Sequence, residues 1–193
     1  MSLRRPLLGL ALLAAAAGTH AAPVSYTIDP THTDVVVSWD YLGFARPSAR
    51  LEATGTVVYD AERPAASSVQ VSLPLASFDG HVERLNQRVQ REDYFDAEKF
   101  PQASFASTAV KLDGNRLTIN GNLTLRGVTR PVVLEGTLNK LGPHPAKGVD
   151  ALGASASTTI RRSEFGLVQQ LPHIADEVKI TIQLFALAGE AGK

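Results

Sequence analysis

Apolar and polar residues alternate in many short runs along the chain. A period of two places the apolar residues on one face of a β-strand and the polar residues on the other. The pattern therefore predicts eight long strands, and a ninth, short strand is predicted at Ser25–Ile28. The long runs are at 35–41, 51–59, 69–75, 117–125 and 178–184, with weaker alternation at 102–112, 132–141 and 152–160.

The segments between these runs have the composition of turns. Asp113-Gly114-Asn115 predicts a tight hairpin, and the segment 126–131, which contains Gly127, predicts a second turn. The segment 141–150 contains two prolines and two glycines, which indicates an exposed loop. Pro74 lacks the N–H that a sheet ladder needs, so its strand is predicted to be an edge or to end early.

One segment breaks the alternation. Between Gly80 and Ala97 the apolar residues Val82, Leu85 and Val89 recur at helical spacing, with polar residues between them. Asp79 is in position to cap the start of such a helix. The chain is therefore predicted to be all-β with one amphipathic helix.

Strands with one apolar face can bury it in two ways. Two sheets can pack face to face as a sandwich, or one sheet can close into a barrel and lose its edges. Hairpin-length connections in sequential order favour an up-and-down antiparallel barrel, whose interior at eight strands holds side chains or one small ligand. Alternation alone leaves both architectures open.

The N-terminus has the layout of a secretory signal peptide. Arg4 and Arg5 precede an uncharged apolar run at 7–18, and small residues follow around Ala21. The run is shorter than the roughly 20 residues that a membrane span needs. We therefore expect a signal peptide at residues 1–21, a single domain at 22–193, and a periplasmic or secreted protein.

Composition narrows the classes of function. The chain carries 19 basic and 19 acidic residues, so it has no strong electrostatic attraction to nucleic acid. It contains no cysteine, which excludes thiolate metal sites and thiol nucleophiles. Its histidines outside the predicted signal peptide are far apart in sequence, so no metal site is predicted. These residues are His32, His81, His144 and His173.

Candidate catalytic groups are weak. There is no Gly-x-Ser-x-Gly motif. Asp93 and Asp96 flank Tyr94-Phe95, a spacing that could serve acid–base chemistry. We favour the interpretation that both aspartates are solvated turn residues, and that the two aromatic residues anchor the end of the helix. No catalytic residue and no cofactor is therefore predicted.

Several motifs resemble those of the YceI-like protein family. They occur in the family's order between about Tyr26 and Leu187, and the stretch Gly121–Thr129 is the most specific. The matching segments are Ile28–Thr33, Tyr94–Ser107, Ile119–Val132, Arg162–Gly166 and the last strand from Asp176.

The resemblance implies more than the pattern does. It implies a lipocalin-like eight-stranded barrel with a helix near the opening, which favours the barrel over the sandwich. It also implies a periplasmic or secreted, stress-related binding protein rather than an enzyme. The ligand would be an amphiphilic isoprenoid lipid, such as an isoprenoid quinone or a polyprenyl phosphate, held in the lumen.

The lipid-binding residues predicted from the resemblance lie on the apolar faces of the strands. At the mouth of the barrel, Arg126, Arg130, Arg161 and Arg162 could meet a phosphate head group, whereas a quinone would need only neutral donors. The predicted lining residues are Val37, Trp39, Tyr41, Leu51, Val57, Tyr59, Val71, Leu73, Phe105, Leu117, Ile119, Leu123, Ile180, Ile182 and Leu184.

The sequence departs from the family at two places. Family members often carry a histidine where Tyr41 stands, and another in the helix segment that here reads Leu85–Arg91. Tyr41 and Arg88 are the natural replacements as head-group contacts. The alternative is that both are structural, with Tyr41 in the core and Arg88 on the exposed helix face; this is the interpretation that we favour for Arg88.

Two other functions stay open at this point. The first is a ligand-free, stress-related binding or structural protein whose barrel is filled by side chains. The second is a small hydrolase or isomerase, for which the sequence offers no nucleophile–base motif. A carrier is compatible with transient membrane contact and with a dimer, although no interface signature is evident.

Overall fold

The computed structural model describes residues 21–189, so the predicted signal peptide lies outside the described residues except for Ala21. Within this part there is one α-helix, α1 Glu83–Val89. None of the described helices is long and apolar enough to cross a bilayer. The ten strands are β1 Val24–Ile28, β2 Asp34–Tyr41, β3 Ser48–Leu51, β4 Thr54–Tyr59, β5 Ser68–Pro74, β6 Gln102–Asp113, β7 Arg116–Leu125, β8 Val128–Pro143, β9 Asp150–Arg161 and β10 Ile174–Ala188.

The strands form a closed barrel. From β4 to β10 each strand pairs antiparallel with the next, and β1 closes the ring by pairing with both β4 and β10. β1 and β2 pair one after the other with the same edge of β10. β3 pairs with β2 and precedes β4 in the chain. The ten segments therefore occupy eight positions, and the prediction of an eight-stranded antiparallel barrel is confirmed.

The predicted turns occur, with one shift. Gly114 and Asn115 connect β6 to β7, and Gly114 has a φ of +60°. The next hairpin turns on only Arg126 and Gly127, whose φ angles of +52° and +73° are those of a type I′ turn. β8 therefore begins at Val128, inside the segment predicted as a turn, and β5 ends at Pro74 as predicted.

The predicted helix is present, but its cap differs. Val82 precedes α1 as the capping residue, with no side-chain hydrogen bond. The Asp79 carboxylate instead accepts hydrogen bonds from the His81 backbone N–H at 2.8 Å and the Asn86 side chain at 3.2 Å. The prediction that Asp79 caps the helix is wrong, because the chain turns at His81 (φ +61°) and the helix starts beyond its reach.

The interior is divided along the barrel axis. We call the end that carries the β2–β3, β5–β6, β7–β8 and β9–β10 connections the helix end, and the opposite end the far end. Residues 75–100, here called the capping segment, include α1 and pack into the helix end. Leu75, Phe78, Val89 and Phe95 of this segment belong to one apolar cluster with Phe165. A second apolar cluster surrounds the middle of the barrel and its far end.

Candidate functional site: the barrel lumen and a cleft in its wall

The interior of the barrel is hollow. It contains a cavity of about 130 Å³. On the same measure a cavity needs only about 10–15 Å³ to hold one water molecule. The wall that faces this space is entirely apolar. A barrel filled by its own side chains is therefore not what the sequence folds into.

Most of the predicted lining residues face the lumen. Eleven of the fifteen line it, which confirms the inward faces inferred from alternation on β4 to β7 and on β10. That they contact a lipid stays a prediction. The eleven are Val57, Tyr59, Val71, Leu73, Phe105, Leu117, Ile119, Leu123, Ile180, Ile182 and Leu184.

The other four residues do not line the cavity, contrary to expectation. Val37, Trp39 and Leu51 pack in the apolar cluster of the capping segment. Tyr41, at the end of β2, is 46% exposed and is neither in the lumen nor in the core. Alternation identifies the face of a strand but not how far along the barrel the cavity reaches, and here the capping segment fills the helix end.

The prediction missed the wall formed by β9. Leu152, Ala154, Ala156 and Thr158 face the lumen, and their small side chains leave space inside the barrel. Alanine and threonine weaken the apolar signal of alternation, which is why this strand appeared as a weak run. Gly136 of β8 pairs with Ala156, and a Cβ at Gly136 would lie 2.0 Å from the Ser155 carbonyl oxygen. The backbone of β9 therefore lies too close to Gly136 for a larger residue at that position.

A glycine sets the position of an aromatic side chain on the wall. A Cβ added at Gly121 would lie 2.3 Å from a ring carbon of Phe105. The Phe105 ring therefore packs against β7 at Gly121, in space that any larger residue would occupy. This contact gives the most specific of the family-like motifs a direct role in keeping the lumen open.

The buried hydroxyls on the wall already have partners. The Thr33 hydroxyl donates to the carbonyl of Phe185 and accepts from its N–H, both at 3.1 Å. The Ser67 hydroxyl accepts from the Asp60 N–H at 3.0 Å. Neither hydroxyl is oriented for a polar head group.

Two of the four predicted head-group arginines have structural roles. Arg162 is only 8% exposed, and its guanidinium donates to the carbonyls of Leu167, Ile174 and Ala175 at 2.7–2.9 Å. Burial lowers its pKa, but an arginine still remains charged. Arg126 donates to the carbonyl oxygens of Glu92 and Gly166. These two arginines connect the loops at the helix end.

The other two arginines, Arg130 and Arg161, line a cleft in the barrel wall. The β8–β9 ladder ends at the pair Glu135–Ser157, and beyond it the strands separate. The cleft between them has a volume of about 380 Å³. It is lined by residues 130–133 of β8, residues 158–161 of β9, Glu164 and Phe165. Val132 and Thr158 line both the cleft and the lumen, so the two spaces lie on either side of these residues.

Arg88 makes structural contacts, as we favoured, but it is half-buried and not on the exposed helix face as expected. Its guanidinium pairs with the Asp93 carboxylate, with one Nη1–Oδ1 distance of 2.7 Å, and lies 4.8 Å from the centroid of the Tyr94 ring. The hydrogen bond from Arg88 lowers the pKa of Asp93. A carboxylate held in this way is a poor general acid, so the Asp93/Asp96 pair gives no support to a hydrolase.

These features define a class of protein: a closed antiparallel β-barrel with a hollow apolar interior and one helix at its end. The family model for the YceI-like domain matches residues 26–186, and the chain belongs to this family. Protein YceI of Escherichia coli O157:H7 is 35% identical over 188 residues, which cover 94% of this chain and 97% of that protein.

Two solved structures are similar to the whole barrel. BcnA of Burkholderia cenocepacia superimposes with a TM-score of 0.74 at 26% identity, covering 82% of this chain and 99% of the BcnA chain. A polyisoprenoid-binding domain from Saccharophagus degradans superimposes with a TM-score of 0.62 at 16% identity, covering 86% of this chain and 99% of that domain. At that identity, the second similarity establishes the fold alone.

Proposed function

We propose that the protein is an exported carrier that holds a long apolar lipid of the isoprenoid class in its barrel lumen. The observation that carries the proposal is the hollow lumen, whose exposed wall is entirely apolar. Such a cavity favours the hydrocarbon part of a ligand by about 0.8 kcal/mol for each methylene that it removes from water. Specificity then comes from the length and shape of the chain.

The isoprenoid class is supported by one relative. The Saccharophagus degradans domain with the same barrel is described as polyisoprenoid binding. A methyl-branched chain suits a cavity that is bordered on one side by the small residues Ala154 and Ala156. Export is supported by the predicted signal peptide at residues 1–21, which leads to the periplasm or the outside of the cell.

A binding role fits the lumen better than catalysis does. The two buried hydroxyls on its wall, of Thr33 and Ser67, are engaged by the backbone. Among the residues that line the lumen, Tyr59 alone carries an ionisable group, and it is the last residue of β4. General acid–base and nucleophilic mechanisms need such groups within hydrogen-bond reach of the substrate. We therefore assign the protein a carrier function without a chemical step.

The direct test is to identify the lipid that the protein retains. The protein, expressed with its own signal peptide, is purified from the periplasm or the medium and extracted with organic solvent, and the extract is analysed by mass spectrometry. A stoichiometric isoprenoid supports the proposal. An empty extract, together with no binding of added ubiquinone or geranylgeraniol, would refute it.

A matched pair of variants locates the lipid. Ala156 faces the lumen, whereas its neighbour Ser157 faces outwards on the same strand. We expect Ala156→Phe to fill the cavity and reduce lipid retention at least tenfold, and Ser157→Phe to retain lipid as the wild type does. Equal retention by both variants would place the lipid outside the lumen.

A further inference from the structure

The barrel wall is open on one side, and the opening is encoded in β8. In the two-residue hairpin between β7 and β8, the pair Leu125–Val128 next to the turn is hydrogen-bonded, and bonded and non-bonded pairs then alternate. By this count Asn122–Pro131 is a non-bonded pair. The backbone groups of Pro131 therefore point away from β7, and its nitrogen faces β9. Proline has no N–H to donate, so the ladder to β9 cannot continue through this position.

The cleft adjoins the lumen but is chemically different. The lumen wall is apolar, whereas the cleft is lined by Arg130, Arg161 and Glu164. Val132 and Thr158 form the boundary between the two. An amphiphile with its chain in the lumen would thus reach charged groups through the side of the barrel, without passing the capping segment.

Arg130 has an unusual place in its strand. In the alternation of β8 it lies on the same face as Val132 and Leu134, which line the lumen, yet it is exposed. Its guanidinium has one hydrogen bond within residues 21–189, to the carbonyl of the preceding Thr129 at 3.2 Å. An arginine on an inward face would be costly to bury in a complete barrel, and here it is exposed and lines the cleft.

Arg161 lines the cleft from β9, the strand across the cleft from Arg130. It is exposed at the end of β9, and among the described residues it forms no hydrogen bond or ion pair, although its charge helps to lower the pKa of Asp176. Glu164 lies in the same cleft, and Glu177 is the partner of Arg161 across the β9–β10 ladder. The cleft itself is therefore lined by two guanidinium groups and one carboxylate.

We propose that the β8–β9 cleft is the binding site for a phosphate head group, with Arg130 and Arg161 as its ligands and the lipid chain continuing past Val132 and Thr158 into the lumen. The inference rests on the carrier function proposed above and adds the position and chemistry of the head-group site. Guanidinium groups suit phosphate oxygens because they donate paired hydrogen bonds in a fixed plane. Glu164 opposes the phosphate and limits its affinity.

The test compares two ligands that differ only in the head group. Geranylgeranyl phosphate and geranylgeraniol share one isoprenoid chain, and their Kd values are measured for the wild type and for Arg130→Gln/Arg161→Gln. We expect the double variant to lose tenfold or more in affinity for the phosphate and to bind the alcohol unchanged. The matched control is Arg116→Gln/Lys147→Gln, which removes the same charge from exposed positions at the far end.

A substitution at Glu164 is expected to change the affinity for geranylgeranyl phosphate in the opposite direction. Glu164→Gln removes a negative charge from the cleft, so we expect it to tighten binding of geranylgeranyl phosphate a few-fold and to leave the alcohol unaffected. Unchanged alcohol binding also shows that each variant is folded. Inorganic phosphate is the third probe: if it competes as strongly as the lipid phosphate does, the site is for free phosphate and the inference is wrong.

The outcomes separate this inference from the carrier function. If the wild type binds both lipids and the double variant binds geranylgeranyl phosphate with the same affinity as the wild type, the head-group site is wrong and the carrier function stands. If the far-end control loses as much affinity as the double variant, the effect is only that of net charge and the site is also wrong. If the wild type binds neither lipid, the carrier function fails and the head-group site fails with it.

Discussion

Arg162 shows how a single residue can organise one end of the barrel. Its buried guanidinium collects three backbone carbonyls from Leu167, Ile174 and Ala175, and so joins the loop after β9 to the start of β10. The adjacent Ser163 donates its N–H and hydroxyl to Asp176 at 2.8 and 2.7 Å. This loop supports Phe165, which is 1% exposed and lines the cleft.

The first prediction concerns the contribution of Arg162 to the stability of the protein. Arg162→Met keeps the length of the side chain but leaves the three carbonyls without their donor. We expect it to lower the free energy of unfolding by about 2–4 kcal/mol, since each buried unsatisfied group costs about 1–3 kcal/mol and the loop relaxes in part. Urea denaturation measures it. The exposed neighbour provides the control: Arg161→Met should change stability by less than about 0.5 kcal/mol, and an equal loss in both variants would contradict this role.

At the scale of the element, β8 combines two environments in one strand. From Glu135 to Thr137 it pairs with both β7 and β9, and from Leu138 to Pro143 it pairs with β9, with a register shift between Leu138 and Lys140. From Val128 to Leu134 it pairs only with β7. A strand edge with unpaired backbone groups inside a barrel needs a cause, and Pro131 contributes to it by removing one of the donors that would face β9. The cleft is thus a local property of this strand.

We expect Pro131→Thr to restore the missing donor and let β8 and β9 pair further. Amide hydrogen exchange at Thr159 and Arg161 should then slow, because their N–H groups face β8 and gain partners, whereas those of Thr158 and Ile160 already face β10. Geranylgeranyl phosphate should bind more weakly as the cleft narrows. Pro143→Thr, at the far end of the same strand, is the control. Unchanged exchange at Thr159 and Arg161 would show that Pro131 is not what keeps the strands apart.

At the scale of the whole molecule, the barrel interior is less closely packed than most protein interiors because it contains a cavity. Interiors of folded proteins are normally close-packed, and empty space in them costs stability. Here the small side chains of β9 and the position of Phe105 over Gly121 maintain a hollow apolar space. A ligand that fills this space recovers contacts that the empty protein lacks, so binding and stability should be coupled.

We therefore expect the protein to be markedly more stable with its lipid than without it. For a ligand that binds only the folded state, the gain is about 2.7 kcal/mol at a free concentration of one hundred times Kd. Thermal unfolding of the delipidated protein, with and without added geranylgeraniol, measures the shift in Tm. Ala156→Phe should start with a higher Tm than the delipidated wild type, or an equal one, and should show no shift. A shift as large as that of the wild type would argue against binding in the lumen.

The sequence by itself determined which residues face inwards, where the tight turns are, and that the described residues form one all-β unit with a helix. These properties are local, because alternation and turn chemistry depend on neighbours along the chain. Asp79 illustrates the limit of local reasoning, since a turn at His81 was enough to remove it from the helix start.

Only the tertiary structure decided how deep the cavity is, which arginines are available and where the wall opens. Val37, Trp39 and Leu51 face inwards but meet the capping segment, which comes from a distant part of the chain. Arg162 and Arg161 are adjacent in sequence, yet one is buried under three carbonyls and the other lines the cleft. Such differences depend on contacts between segments far apart in sequence, and no local pattern records them.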